Sequence, residues 1–262
     1  PMGSSIGSGG ANPFGDKFLA RYGGVFPNQG VGAEMIAEQW GLSRTQLDEF
    51  SVGSHEKAAA AQSEGRFDGQ IAPVTLDDGT VISRDEGIRP GTTAAGLGKL
   101  KPSFLPDGKV TAGNSSQICD GASAALIMSA DKAAALGLTP RARFHTFALA
   151  GVDPVRMLTG PIPATTKAIE RSGLGIDDFD HIEINEAFAS VVLAWEKEHR
   201  PDMAKVNPNG GAIALGHPLG GSGTKLMATM LNELERTGGR YGLQTMCEGG
   251  GMANATVIER LG

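Results

Sequence analysis

A single histidine lies within a run of glycines, Gly210-Gly211-Ala212-Ile213-Ala214-Leu215-Gly216-His217-Pro218-Leu219-Gly220-Gly221-Ser222-Gly223. Glycine admits positive φ and lets a ligand approach the backbone closely. A glycine-lined loop entering a helix also offers unpaired N–H groups and the positive end of the helix dipole. A histidine held there is placed to move a proton or to stabilise an oxyanion. Thirty residues on, Cys247-Glu248-Gly249-Gly250-Gly251 sets a thiol before three glycines, which again permits close approach and supplies N–H donors. A third stretch, Asn185-Glu186-Ala187-Phe188-Ala189-Ser190, follows the apolar run 181–184. Polar residues at the C-terminal end of a strand are where α/β sites collect. Each residue also has a plainer use: Asn185 as a helix N-cap, His217 as a structural histidine, Cys247 as a small hydrophobe.

Two other chemistries fit less well. A phosphate loop needs Gly-x-x-x-x-Gly-Lys followed by Ser or Thr. Here Gly221 is followed by Ser222, and Lys225 comes only after Thr224. The two cysteines and five histidines show no short metal-ligand spacing, so no metal site is expected. Cys119, without a glycine cradle and leading into an apolar run, reads as a buried structural cysteine.

Composition narrows the class. A chain of 262 residues can bury one large core or two moderate ones. A net charge of −6 argues against a nucleic-acid-coating protein. Two cysteines make no disulfide framework, and no apolar run is long enough for a membrane helix. The expectation is a cytoplasmic protein without nucleic-acid or membrane partners.

The elements that must position the three stretches come next. Residues 1–31 read as irregular loop, and 32–40 as helical. Ser43-Arg44-Thr45-Gln46 is a capping box that opens a helix to about Glu64, stopped by Gly65, with Leu47, Phe50 and Val52 near its buried side. Segments 71–76 and 81–83 flank Asp77-Asp78-Gly79-Thr80, a hairpin signal. Residues 84–109 return to loop chemistry. Apolar strands are expected at 122–128, 144–150 and 181–184, with helices at 130–136 behind Ser129, at 164–172 behind Pro163, and from Asn185 to about His199. The strands 241–246 and 253–259, joined only by the Cys247 loop, must pair antiparallel. Alternation of strand and helix from about residue 120 gives an α/β layered class.

Taken together, Asn185-Glu186-Ala187-Phe188, Gly216-His217-Pro218-Leu219-Gly220-x-Ser222-Gly223 and Cys247-x-Gly249-Gly250-Gly251 resemble the thiolase family in order and spacing. Thr111-Ala112-Gly113-Asn114-Ser115-Ser116, ahead of Asp120-Gly121-Ala122, adds to the resemblance, which runs from about Gly30 onward. It implies part of a layered αβαβα sandwich: a loop domain at 1–118, the end of the N-terminal half at 119–135, and the C-terminal half at 136–262. It further implies acyl exchange between coenzyme A and a cysteine, with coenzyme A and acyl-CoA as substrates, no permanently bound cofactor, and a homodimer or homotetramer. By the same resemblance His217 activates the nucleophilic cysteine and helps hold the thioester oxyanion, Asn185 fixes a water that completes that hole, and Cys247 is the acid/base. The Gly249 N–H is a donor of a second oxyanion hole. A thiol beside a charged histidine or a helix dipole is expected to be tuned toward neutral pKa. Ser116 matches a pantetheine contact and Arg89 a position at the nucleotide end of coenzyme A. Phe104, Ala112, Met157 and Phe188 match the acyl and pantetheine tunnel.

Two departures shape the expectation. Asn28-Gln29 stands about where short-chain thiolases often carry His-Met, which turns the reading toward degradative cleavage of a bulkier 3-ketoacyl-CoA, of fatty-acid or steroid side-chain type. The alternatives are a biosynthetic acetoacetyl-CoA-forming thiolase and a non-catalytic coenzyme A or lipid binder. The family's nucleophilic cysteine lies shortly before Pro1, and neither Cys119 nor Cys247 has its context, so the chain on its own is expected to be inactive and to look truncated.

Overall fold

The computed structural model describes residues 15–25 and 27–262. The reading of residues 1–14 as loop lies outside the described residues; the segment that follows carries a helix, α1 (Asp16–Arg21). Asn28 caps α2 (Gln29–Gln39), its side chain accepting from Val31 N at 3.1 Å. The expected capping box is present. Ser43 Oγ accepts from Gln46 N and the Gln46 side chain accepts from Ser43 N, opening α3 (Arg44–Ser63). Gly65, at φ +73°, turns the chain out of it. The buried stripe of α3 is Leu47, Asp48, Ser51, Ser54, His55, Ala58 and Ala61, with Phe50 and Val52 only half-buried. Leu47, Ala58 and Ala61 of this stripe pack into apolar clusters, while Asp48 and Ser54 bond Asn114 and Glu186.

The hairpin forms, but only β1 (Val74–Thr75) and β2 (Val81–Ile82) pair, and both are largely exposed. Two short helices follow, α4 (Ala94–Leu97) capped by Thr93 and α5 (Ala130–Ala135) capped by Ser129. The strand expected at 122–128 is absent. No strand lies beside it among the described residues to take its backbone groups, and Leu126 and Ile127 are 82% and 63% exposed. Ser123 instead ties the segment to the next layer through Gly221 O and Thr224 Oγ1. Cys119 is exposed rather than buried, because it sits on this uncovered stretch.

Residues beyond 140 make the regular unit. One mixed sheet runs in the order β3 (Ala142–Gly151), β6 (Met252–Arg260), β5 (Tyr241–Glu248), β4 (His181–Ile184). β5 and β6 pair antiparallel through the tight glycine turn, as their short connection requires, and β4 joins β5 in parallel. β4 is buried at every residue. On one face Val257, Leu243, Ile182 and Ile184 meet α6 (Pro161–Ser172) and Trp195 of α7 (Ala189–His199). Successive strand residues alternate faces, so Ile258 meets Met230 and Leu234 of α9 (Ser222–Thr237) on the other. α6 begins at Pro161, three residues ahead of its expected start, since proline at a first-turn position gives up no hydrogen bond. Asn185 does not cap α7: the N-cap is Phe188, and between them the chain makes a tight turn in which Ala187 N donates to Asn185 O at 2.9 Å. A one-turn helix, α8 (Ala212–Leu215), leads into His217.

Gly210 lies tight against α3. It has φ +76°, and a Cβ there would lie 2.6 Å from Ser54 O and 2.7 Å from Ala58 Cβ. Gly79 has φ +85° with nothing within 4 Å. Gly210→Ala should therefore cost roughly 2 kcal/mol or more, and Gly79→Ala only about 1 kcal/mol, in urea unfolding. Equal losses would show that contact adds nothing at Gly210.

Candidate active site

The three stretches converge at the C-terminal end of β4. Asn207, itself in the left-handed region at φ +43°, receives Ile184 N and donates to Ile184 O, both at 2.9 Å. That clamp ends β4 and turns the next two side chains in different directions. Glu186 points into the protein. Its carboxylate accepts from Ser54 Oγ at 2.6 Å, Asn207 Nδ2 at 3.1 Å and Ile213 N at 3.2 Å. Burial still pushes its pKa up against these donors. Gly211 is required beside it, since a Cβ there would lie 2.2 Å from Glu186 Cδ.

Asn185 points toward His217. Its backbone N donates to Thr245 O of β5, two residues before Cys247. Its Nδ2 lies 3.4 Å from His217 Nε2, and its Oδ1 is buried without a partner. A buried polar oxygen of this kind is costly unless something fills it, and it suits a bound water or substrate group. Ser222 sets the histidine tautomer. Its hydroxyl donates to Pro218 O at 3.0 Å, so its oxygen receives His217 Nδ1–H at 2.5 Å. Nε2 is then the unprotonated nitrogen, its lone pair facing the long contact from Asn185 Nδ2. Burial, and secondarily the charge of Lys225, hold the ring below the ordinary histidine pKa. His217 is thus a neutral base near neutral pH. The backbone of His217 is fixed by Gln117 O at 3.0 Å, and the Gln117 side chain donates to Ile213 O and Ala214 O.

Cys247 is the penultimate residue of β5, opposite Ala253, rather than the first of a loop. It packs with Met157, Ala187, Val191 and half-buried Phe188. Burial pushes its thiol up to about 12, with the neighbouring Glu248 carboxylate adding in the same direction. The expectation of a near-neutral thiol is therefore corrected: the apolar wall outweighs any nearby dipole. The Gly250 and Gly251 turn at φ +84° holds the chain against Val152, whose N donates to Gly251 O at 2.7 Å. Gly249 stands within reach of Gln29.

The expected tunnel residues divide. Phe104 stacks edge-on against Phe188 at 6.0 Å between centroids and covers Gly30 so closely that no Cβ fits there. Met157 is buried, held at φ +37°, an unusual conformation for a side-chain-bearing residue that marks a fixed wall. Ser116 joins through its backbone, its N donating to Ala187 O at 2.9 Å. Ala112 and Arg89 are exposed, and Arg89 is held through its backbone, its N donating to His55 Nδ1 and its O accepting from Thr92 Oγ1 at 2.7 Å. Sequence reasoning assigned no role to Ser222, Glu186, Ser54 or Asn207. Ser222 had a legible signal, lying one and a half helical turns after His217 in the same glycine run; the partners of Glu186 come from segments far apart and had none.

An α/β sheet with histidine, asparagine and thiol loops gathered at one end defines a class, and the chain belongs to the thiolase family. Residues 25–131 match the thiolase N-terminal domain and residues 138–260 the thiolase C-terminal domain. The steroid 3-ketoacyl-CoA thiolase FadA6 of Mycobacterium tuberculosis is 55% identical over 94% of this chain and 60% of its own length. A 3-ketoacyl-CoA thiolase of Marinobacter nauticus is 48% identical over 95% of this chain and 65% of its own length. The crystal structure of a Bacillus anthracis acetyl-CoA acetyltransferase superimposes with a TM-score of 0.86 at 43% identity, over 88% of this chain and 60% of that one. The fold is thus thiolase-like, and the chain spans about three fifths of the length of these relatives. Among the described residues, no helix is long and apolar enough to cross a membrane.

The two thiols should differ in reactivity. At pH 8, iodoacetamide should label exposed Cys119 first and Cys247 slower by a factor on the order of a hundred or more, read by peptide mass spectrometry. Equal labelling would contradict the buried, protonated state of Cys247.

Proposed function

We propose that this chain supplies the acid/base and oxyanion groups for thiolytic cleavage of a 3-ketoacyl-CoA, an acyl-CoA C-acyltransferase reaction. The observation that carries the reading is the Asn185–His217–Ser222 chain of contacts, next in β5 to a buried thiol that keeps its proton. In this reading a cysteine thiol, activated by proton transfer to His217 Nε2, adds to the 3-keto carbon. The bond between C2 and C3 breaks, and its electron pair passes to the acetyl-CoA enolate. The Cys247 thiol donates its proton to that carbon. The resulting thiolate is a stronger base than the thiolate of coenzyme A, whose thiol has an ordinary pKa near 8.5. It therefore takes the proton of the incoming coenzyme A, whose sulfur attacks the acyl thioester and expels the first sulfur, which recovers its proton from His217 Nε2. A high Cys247 pKa suits both steps, donor first and base second. His217 with the Asn185 site, and the Gly249 N–H, take the two oxyanions.

Neither cysteine of the chain suits the nucleophile. Cys247 is committed to proton transfer, and Cys119 is held up in pKa by its surroundings. The acyl-carrying thiol belongs on this reading to polypeptide beyond the sequence in hand. The domain division at residues 118 and 135, a homodimer or homotetramer, and cytoplasmic operation belong to the same proposal. Phe147 and Leu149, exposed at 56% and 71% on the edge strand β3, support association with further polypeptide. Gln29 at the glycine turn, in place of the short-chain family's pattern, and the identity to a steroid thiolase support a long or bulky acyl chain.

In the whole protein that carries this sequence, Cys247→Ala should lower the thiolysis rate by about a hundredfold or more while acyl-CoA binding persists. Unchanged turnover refutes the role of Cys247. The acid limb of the pH–rate profile should lie below about 6.5, because a base whose pKa is lowered stays unprotonated until that pH is passed. A limb above 6.5 contradicts His217 as that base.

A further inference from the structure

Lys225 is anomalous where it stands. It lies in the first turn of α9, at the positive end of the helix dipole, where a cation is disfavoured, and that turn holds no acidic residue. Its surface is half-buried and its ammonium is desolvated, which lowers its pKa. Something must offset both costs. Nζ donates to Leu215 O at 2.9 Å and to Gly216 O at 3.2 Å, the two carbonyls directly ahead of His217. Gly216 has φ +76°, and a Cβ on it would lie 2.4 Å from Cys119 Sγ, so only glycine fits the turn that Lys225 holds. A cavity of about 10 Å³, near the size of one water, is lined by Lys225, Glu183, Asn185, Gly216 and Ser222, which include both ring partners of His217.

We propose that Lys225 is a positioning residue for His217, clamping the turn that carries the ring and setting a fixed positive charge behind it; this rests on His217 being the base assigned above. The charged and titratable groups facing Lys225 are Asp85, Cys119, Glu183 and Glu186, and Glu183 is itself bound to His181 at 2.7 Å. The ring of His217 meets Ser222 and Asn185, both neutral. A cation behind the ring disfavours the imidazolium, so removing it favours protonation. Removal also leaves the surrounding carboxylates uncompensated, which acts in the same direction. The clamp on residues 215 and 216 is a separate contribution, keeping Nδ1 aimed at Ser222.

The test is a pH titration of ¹⁵N-histidine-labelled full chain by long-range ¹H–¹⁵N NMR, which needs no turnover. A failed thiolysis assay would leave its outcome standing, and the reverse also holds. In Lys225→Met the His217 midpoint should rise by about half a unit to one unit, and the Nδ1-protonated pattern at neutral pH should be lost. In Lys225→Arg, which keeps charge and donors, the midpoint should remain within about 0.2 unit of the parent. Lys225→Gln, neutral but still a donor, should raise the midpoint while keeping the tautomer. His55 and His199 serve as internal controls of folding. An unmoved His217 midpoint in Lys225→Met or Lys225→Gln overturns the proposal. So does a His217 shift accompanied by equal shifts of His55 and His199, which would mark a general loss of structure.

Discussion

The buried carboxylate of Glu186 is the constraint on which the site depends. Taking a carboxyl group out of water is costly unless its lone pairs are filled. Here they are filled from three places: Ser54 on α3, Asn207 in the turn after α7, and the backbone N of Ile213 at the start of α8. Each donor belongs to a segment that leads to a functional residue or supports one. Asn207 also clamps the end of β4 beside Asn185, and Ile213 lies four residues ahead of His217. Ser54 extends the junction by receiving Gly211 N at 3.1 Å. A shift of α3 would thus leave a buried acceptor unsatisfied, so the helical layer and the sheet hold one relative position.

Polarity around the site is divided by function. Asn185, His217 and Ser222 form a hydrogen-bonded row that sets a tautomer, whereas Cys247 sits against aliphatic and aromatic walls that keep it protonated. Environments that push two groups' protonation in opposite directions are how an acid and a base coexist at one pH. The glycines are placed accordingly. Gly211 yields room to Glu186, Gly216 to Cys119, and Gly251 to the carbonyl of Val152.

Much of this was legible in the sequence because the signals were local. The Ser43 capping box, the Ser129 cap, the Gly65 and Gly173 stops and the antiparallel return of β5 and β6 are decided within a few residues. His217 and Cys247 were visible through their glycine flanking, Asn185 through its place at the end of a strand, and Met157 and Phe188 through the family resemblance; Asn185 meets His217, and Cys247 packs with Met157 and Phe188. What failed depended on remote partners. The run 122–128 has strand-like residues but no neighbour to pair with among the described residues, and Asn185 was drawn from the capping role by contacts with His217 and Thr245. The Cys247 pKa could not be read from its flanking glycines, since it is set by Met157, Val191 and Phe188, distant in sequence.

The most direct test of the account is a crystal structure of the whole protein carrying this sequence with acetyl-CoA bound. The account predicts the thioester oxygen accepting from His217 Nε2, which carries the proton taken from the nucleophilic thiol, a water on Asn185 Oδ1, and the acetyl methyl carbon against Cys247 Sγ. An acetyl group bound away from His217 and Cys247 would contradict a shared acyl-transfer site.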